Sequence, residues 1–561
     1  MDNETQEKAP NSALQIHDAI AADLARGALA EASAALDAAL ARWPGHSKLR
    51  LLKGEVLARE SRADAALYYA DLLDDPALAI WAGPRLAELL SGAPLAIADA
   101  LPVARRVSRS DADDKLREPV LDALLKRDDA QEATRLLKLI GSKSRIFRFE
   151  SKLAVYRTEA GKFAAAIELL EVARAEGRLA LHAAMLLSDL LSLCSRLDDA
   201  IALLEEWLAL HPEHADIYRR LTMMLQRARK FDRAAKIFEM AVARWPQDWM
   251  LVYRLNRLPV PPERYARIFD AIRQGVGDAW KKNDRLRFQL ALAALHLDDP
   301  SPGFALMKTA YQPPVSILAT PVKKALKARK PEDWRAGSRL KDDRTLEVQV
   351  AQSPGARATV LLTTGIMFGN LPLAFVDTLF AAHGMNVVYL RDFAKRAYLR
   401  GIASLGASED ETIAALKKIV AELGATRTIA MGSSSGGFSA LRYGALIGAD
   451  EAVSFSGPTA MATFFDSARV SAWNPNFFVK AQMEREGDLP FDLVPLLSQP
   501  RATRFTQFYG QGSAGDAAQA LRLEGLPGVR LIAVPGVDDH FVVDHMIGDG
   551  SFEKLLGTLA G

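Results

Sequence analysis

The sequence predicts a multidomain chain: an N-terminal all-α solenoid of helical repeats, then a C-terminal α/β three-layer domain with a mostly parallel sheet. Three observations predict it. At 561 residues the chain is too long for one ordinary core. Up to about residue 310, Ala/Leu/Arg/Glu-rich segments carry apolar residues at three- and four-residue spacing, the period of a helix face. From about residue 345, short apolar runs (TVLLTTG, NVVYL, TIAMG, AVSFSG, RFTQFYG, RLIAVPG) alternate with helical stretches such as DETIAALKKIVAELGA. Strands alternating with helices make a parallel sheet covered on both faces.

Composition narrows the function classes. Apolar residues make up 49% and charged residues 25%, enough to bury large cores. Lys+Arg 71 against Asp+Glu 69 leaves a net charge of +2, which excludes a chain-wide attraction to nucleic acid or anionic membrane. The single cysteine, Cys194, excludes an internal disulfide framework and a cysteine-based zinc site. Apolar runs are too short for a transmembrane helix. The opening MDNETQEKAP is acidic and polar, unlike a secretory leader. Residues 1–11 are expected to be disordered and the cytoplasm is the expected compartment.

The first half repeats itself. Phe163, Leu197 and Phe231 are spaced by 34 residues and open the phrases KFAAAIELL, RLDDAIALL and KFDRAAKIF. An alanine three places on extends the ladder: Ala32, Ala66, Ala100, Ala133, Ala166, Ala200 and Ala234, in steps of 33 or 34. Pro44, Pro212 and Pro246 follow some units. A small residue lets two helices approach closely, and proline cannot continue the hydrogen-bond ladder. Residues 12–310 therefore resemble tetratricopeptide repeats, clearest to about 255, with residues 256–310 as capping helices. The resemblance implies a protein or peptide partner.

Residues 311–344 are expected to be a proline-containing basic linker. YQPPVSILATPVKK holds three prolines, and Lys323, Lys324, Lys327, Arg329, Lys330, Arg335, Arg339 and Lys341 follow within or after it. Such charge runs usually face water. A phosphate or acidic-partner site is the other reading.

The chemistry concentrates in residues 345–561. Met431-Gly432-Ser433-Ser434-Ser435-Gly436-Gly437 joins a predicted strand to a predicted helix. A serine on so tight a turn needs small residues two places before and two after it. Ser434 has Gly432 and Gly436 there; Ser433 would face Met431, and Ser435 is the poorer alternative because it would face Ser433. A serine hydroxyl needs a base. His383 precedes NVVYL and falls at the wrong edge of the sheet, whereas catalytic groups gather at the C-terminal edge. His540 follows the last strand at the right edge, with His545 as the alternative base. Asp516, after RFTQFYG, is the candidate carboxylate; its other reading is a cap for the helix that follows. Asp538 and Asp539 are its rivals. His540 and His545 lack the one-turn spacing of a metal pair, so no metal or cofactor is expected.

Strand, G-x-S-x-G turn and helix, followed by acid and histidine in that order, resemble the α/β-hydrolase family. That resemblance implies an oxyanion hole from the N–H of Ser435 and of Ile366, with Met367 close by, in the loop Gly365–Asn370. It also implies a lid-like insert at 459–502, where Phe464, Phe465, Trp473, Phe477 and Phe478 cluster. The loop Arg391–Arg400 should lie at the same edge, within reach of an anionic substrate. The implied function is a serine hydrolase acting on an ester or thioester through an acyl-enzyme, with the repeats recruiting a partner. The alternatives are an acyltransferase using the same Ser-His-Asp site, or a non-catalytic scaffold with a pseudo-hydrolase binding module.

Overall fold

The computed structural model describes residues 12–140, 143–327, 329–341, 343–364, 367–461, 480–482, 484–485 and 491–561. They form two compact units, to Cys194 and from Ser195. Residues 1–11 and the aromatic insert residues Phe464, Phe465, Trp473, Phe477 and Phe478 lie outside the described residues.

The first unit is built of consecutive helices, beginning with Ala13–Ala25, Leu29–Arg42, Ser47–Glu60 and Arg62–Asp71, and ending with Leu181–Leu193. The alanine ladder explains their packing. All of Ala32, Ala66, Ala100, Ala133 and Ala166 are fully buried in this unit, as are Ala200 and Ala234 in the second. Each sits in the first turns of its helix, where a methyl group is all that the neighbouring helix leaves room for. The prolines act as stops. Trp43, His211 and Trp245 are the C-terminal caps of their helices, and Pro44, Pro212 and Pro246 come directly after them. Ala234→Leu is expected to destabilise the full chain by about 1–3 kcal/mol through overpacking, read as a lower urea midpoint at unchanged slope.

The second unit begins with the helices Leu197–Leu210, Ala215–Arg227, Phe231–Arg244 and Trp249–Leu255. Its sheet is made of β1 (Val348–Ala351), β2 (Ala358–Thr364), β5 (Asn386–Arg391), β6 (Arg427–Ser433), β7 (Glu451–Phe455), β8 (Arg504–Gly510) and β9 (Val529–Val534), with a small separate ribbon of β3 (Met367–Phe368) and β4 (Leu371–Pro372). The order is β1-β5-β2-β6-β7-β8-β9; only β1 runs antiparallel. Residue alternation sends side chains to two faces. On β2, Val360 and Leu362 join a core with the helices Leu373–Ala382 and Ser551–Ala560, while Leu361 packs with Ile413, Leu416 and Tyr443 on the opposite face. From β2 the chain steps to β5 on one side and later to β6 on the other. The strand order thus reverses at β2, the kind of switch point outside whose strand ends open α/β sheets bind their ligands.

The stretch 311–344 is not open chain. It contains the helices Val315–Lys327 and Pro331–Gly337. Val315, Ala319, Val322 and Leu326 fall on one face and are buried, which is what drives the fold there. Several of its basic residues are engaged. Arg339 pairs with the fully buried Asp377 at 2.8 Å, Arg329 pairs with Glu553, and the Arg344 guanidinium lies 3.8 Å from the Tyr265 ring centroid. One apolar core runs from Tyr218 in the repeat helices through Trp334 and the sheet to Leu559.

Candidate active site

β6 ends at Ser433 and the helix Ser435–Ile447 starts two residues later, so the whole reversal falls on Ser434. Its φ is 54° and ψ −130°, a conformation that side-chain-bearing residues avoid. The neighbours allow it because they are glycines. A Cβ on Gly432 would run into the Gly436 carbonyl, and one on Gly436 into the Thr363 carbonyl. The Ser434 N–H donates to the Phe455 carbonyl at 2.9 Å, fixing the bend to the end of β7.

The Ser434 Oγ lies 2.9 Å from His540 Nε2. On the far side of the ring, His540 Nδ1 lies 2.9 and 3.1 Å from the two carboxylate oxygens of Asp516. A carboxylate only accepts, so Nδ1 carries the proton and Nε2 is left to accept from the serine hydroxyl. Asp516 is buried at 5% exposure on the helix Ala514–Leu521, whose capping position is Ser513 rather than Asp516. The Asp516 side chain turns to the histidine instead.

His545 faces elsewhere. Its Nε2 is 3.0 Å from Asp539 Oδ2, and Asp539 also accepts from the Phe541 N–H at 2.8 Å. Burial alone would raise the Asp539 pKa, but the His545 hydrogen bond, the Phe541 N–H and the two nearby imidazoles outweigh it and hold the pKa down. This pair braces the loop that carries His540. His383 caps its own helix, with Nδ1 2.9 Å from the Leu379 carbonyl.

Of the two expected oxyanion-hole donors, Ser435 is the first residue of its helix, where backbone N–H groups have no intrahelical acceptor. Ile366 lies outside the described residues, but the loop around it is anchored on both sides. Thr364 Oγ1 donates to the Met367 carbonyl. The Asn370 backbone N–H reaches both oxygens of Asp544 at 3.0 Å, and its Nδ2 reaches Oδ2 at 2.7 Å. Asp544 and Asn370 are separated by 174 residues. No local pattern links them; the only sequence signal was an acidic residue inside an apolar phrase, DHFVVDHM.

Asp544 is fully buried, and burial pushes its pKa from 3.8 up to about 7 against the opposing effect of the Asn370 donors. The folded state therefore holds this proton more tightly than the unfolded chain does. Stability is expected to fall as pH rises from about 4 to 7 and to level off above that, a change on the order of 4 kcal/mol. Urea denaturation of the full chain and of Asp544→Asn checks it: wild-type stability should fall progressively relative to the variant as pH rises across that window. A flat difference would remove the buried titration.

No family model and no curated protein matches the chain. Among solved structures, the chain is similar to the capsule O-acetyltransferase of Neisseria meningitidis serogroup A at 13% identity and TM-score 0.27, covering 37% of this chain and 91% of that one. It is similar to the thioesterase domain from the curacin biosynthetic pathway at 14% identity and TM-score 0.24, covering 38% and 94%. It is also similar to the pentatricopeptide repeat protein PPR10 from maize at 15% identity and TM-score 0.29, covering 77% and 71%.

Proposed function

We propose that the chain is a serine hydrolase that cleaves an ester or thioester through an acyl-enzyme. The observation that carries this reading is the unbroken relay Ser434 Oγ, His540, Asp516, with 2.9 Å on each side of the imidazole. In this reading Ser434 attacks the substrate carbonyl while His540 Nε2 takes its proton. Asp516 holds the ring and stabilises the imidazolium. The Ser435 N–H meets the tetrahedral oxyanion, with a second donor from the loop braced by Asp544. His540 then protonates the leaving group, and a water deprotonated by the same nitrogen releases the acyl group. The helical repeats recruit a protein or peptide partner.

A fluorophosphonate probe tests the reading. Covalent labelling of the folded chain at Ser434, with release of p-nitrophenol from p-nitrophenyl acetate, supports it. Folded protein that neither labels nor turns over short esters is a binding module instead.

A further inference from the structure

Three repeat units close on the same turn. Trp43, His211 and Trp245 end their helices at φ of −133°, −133° and −131°, and a proline follows each. The N–H of His46, His214 and Asp248 then donates back to the carbonyl of Trp43, His211 and Trp245 at 3.2, 3.2 and 3.0 Å. One backbone shape thus carries three sets of side chains. Two of the turns read Trp43-Pro44-Gly45-His46 and Trp245-Pro246-Gln247-Asp248; the other reads His211-Pro212-Glu213-His214.

Packing does not ask for histidine or glutamate here. The first position needs a ring. Trp245 meets Tyr218 edge-on with centroids 5.3 Å apart, and the His211 imidazole stacks on Trp207 at 5.0 Å and 22°. The ring nitrogens add nothing to that stack. At the last position Asp248 accepts from the Met250 N–H at 2.9 Å and caps its helix, a bond usually worth about 1 kcal/mol, whereas the His214 side chain makes no capping bond. Position 213 is glycine and glutamine in the sister turns.

What the three residues share is ligand chemistry. Each offers a ligand atom, and these atoms all lie within 4.8 Å of one another. His211 Nδ1 is 3.5 Å and His214 Nε2 3.1 Å from Glu213 Oε1. Two ligand atoms on one tetrahedral zinc-like ion stand about 3.3 Å apart. Both contacts to the carboxylate already have that spacing, and a small rotation of an exposed ring closes the remaining one. The side chains are 39%, 62% and 46% exposed in chain order, so an ion can enter directly from solvent. The turn beneath them is held in place. The Pro212 carbonyl accepts from Tyr218 Oη at 3.0 Å and from the Arg244 guanidinium, which belong to the next two helices. The cysteine count and the spacing of His540 and His545 say nothing about this turn.

We propose that His211, Glu213 and His214 bind one divalent transition-metal ion of the zinc class. Two imidazoles and one carboxylate suit such an ion, whereas Mg2+ and Ca2+ take shells of oxygen. The remaining coordination positions face solvent and take water. The ion joins the end of one repeat helix to the start of the next, and the site does not depend on the chemistry at Ser434.

Calorimetric titration of zinc chloride into the tag-free, chelator-stripped full chain tests the proposal. One Zn2+ should bind per chain, weakened at least about tenfold by Glu213→Gln, by His214→Asn, and by His211→Phe, which keeps a ring on Trp207. His46→Asn in the sister turn should leave binding unchanged, and excess Mg2+ should not compete. Co2+ at the same site should give visible absorption bands that the three variants lose. Circular dichroism verifies folding; should a histidine variant misfold, Glu213→Gln, a near-isosteric change on an exposed side chain, carries the comparison. No saturable binding below about 100 μM zinc, or equal binding by wild type and the folded variants, overturns the proposal. Zinc binding that survives the three substitutions and is lost in His545→Ala overturns it as well, by placing the ion beside the candidate active site.

Discussion

Ser434→Ala is expected to lower kcat for p-nitrophenyl acetate by about 10⁴- to 10⁶-fold, equivalent to about 5 to 8 kcal/mol of barrier, and to abolish fluorophosphonate labelling. The size follows from the chemistry removed. In the proposed mechanism the Oγ is the atom that forms the acyl-enzyme, and without it what remains is water attack assisted by polarised amides. The substitution removes one oxygen and leaves the backbone as strained as before, because alanine shares serine's aversion to a φ of 54°. The thermal midpoint should therefore move little. A residual rate within tenfold of wild type would mean that another group attacks, with Ser435 as the next hydroxyl in line.

His540→Ala is expected to produce a loss of the same order, about 10⁴-fold or more, because a hydroxyl 2.9 Å from no base is not a nucleophile at neutral pH. The same experiment on His545 gives the contrast. Its Nε2 is spent on Asp539, so His545→Ala should cost less than about tenfold, through a looser His540 loop. Comparing kcat for the two variants on one ester decides between the imidazoles. If the losses were exchanged, the base would be His545, and the loop from Asp538 to Phe541 would have to rearrange during turnover.

What the sequence discloses depends on how local the cause is. The bend at Ser434 is legible because Gly432 and Gly436 make room within two residues on either side. The alanine ladder is legible because each repeat meets the same packing demand: Ala32 and Ala234 are both fully buried for one reason. His540 and Asp516 follow from chain order and from the sheet edge on which their loops emerge. The Asp544–Asn370 clasp is not legible, since its members are 174 residues apart and neither belongs to a pattern. The basic run after residue 320 misleads for the opposite reason. Prolines and lysines suggest open chain, but the apolar face of Val315, Ala319, Val322 and Leu326 decides the outcome, and acids such as Asp377 and Glu553 come from far away to meet the charges.

The apolar core that extends from Tyr218 to Leu559 has a consequence for how this architecture can be inherited. A gene severed near residue 344 would strip one flank of the sheet of its cover and leave Trp334 and Phe375 without each other. Exchange of parts between related genes would succeed only with a cut far upstream, close to Ser195, so that the last repeats travel with the sheet-bearing half as one heritable piece.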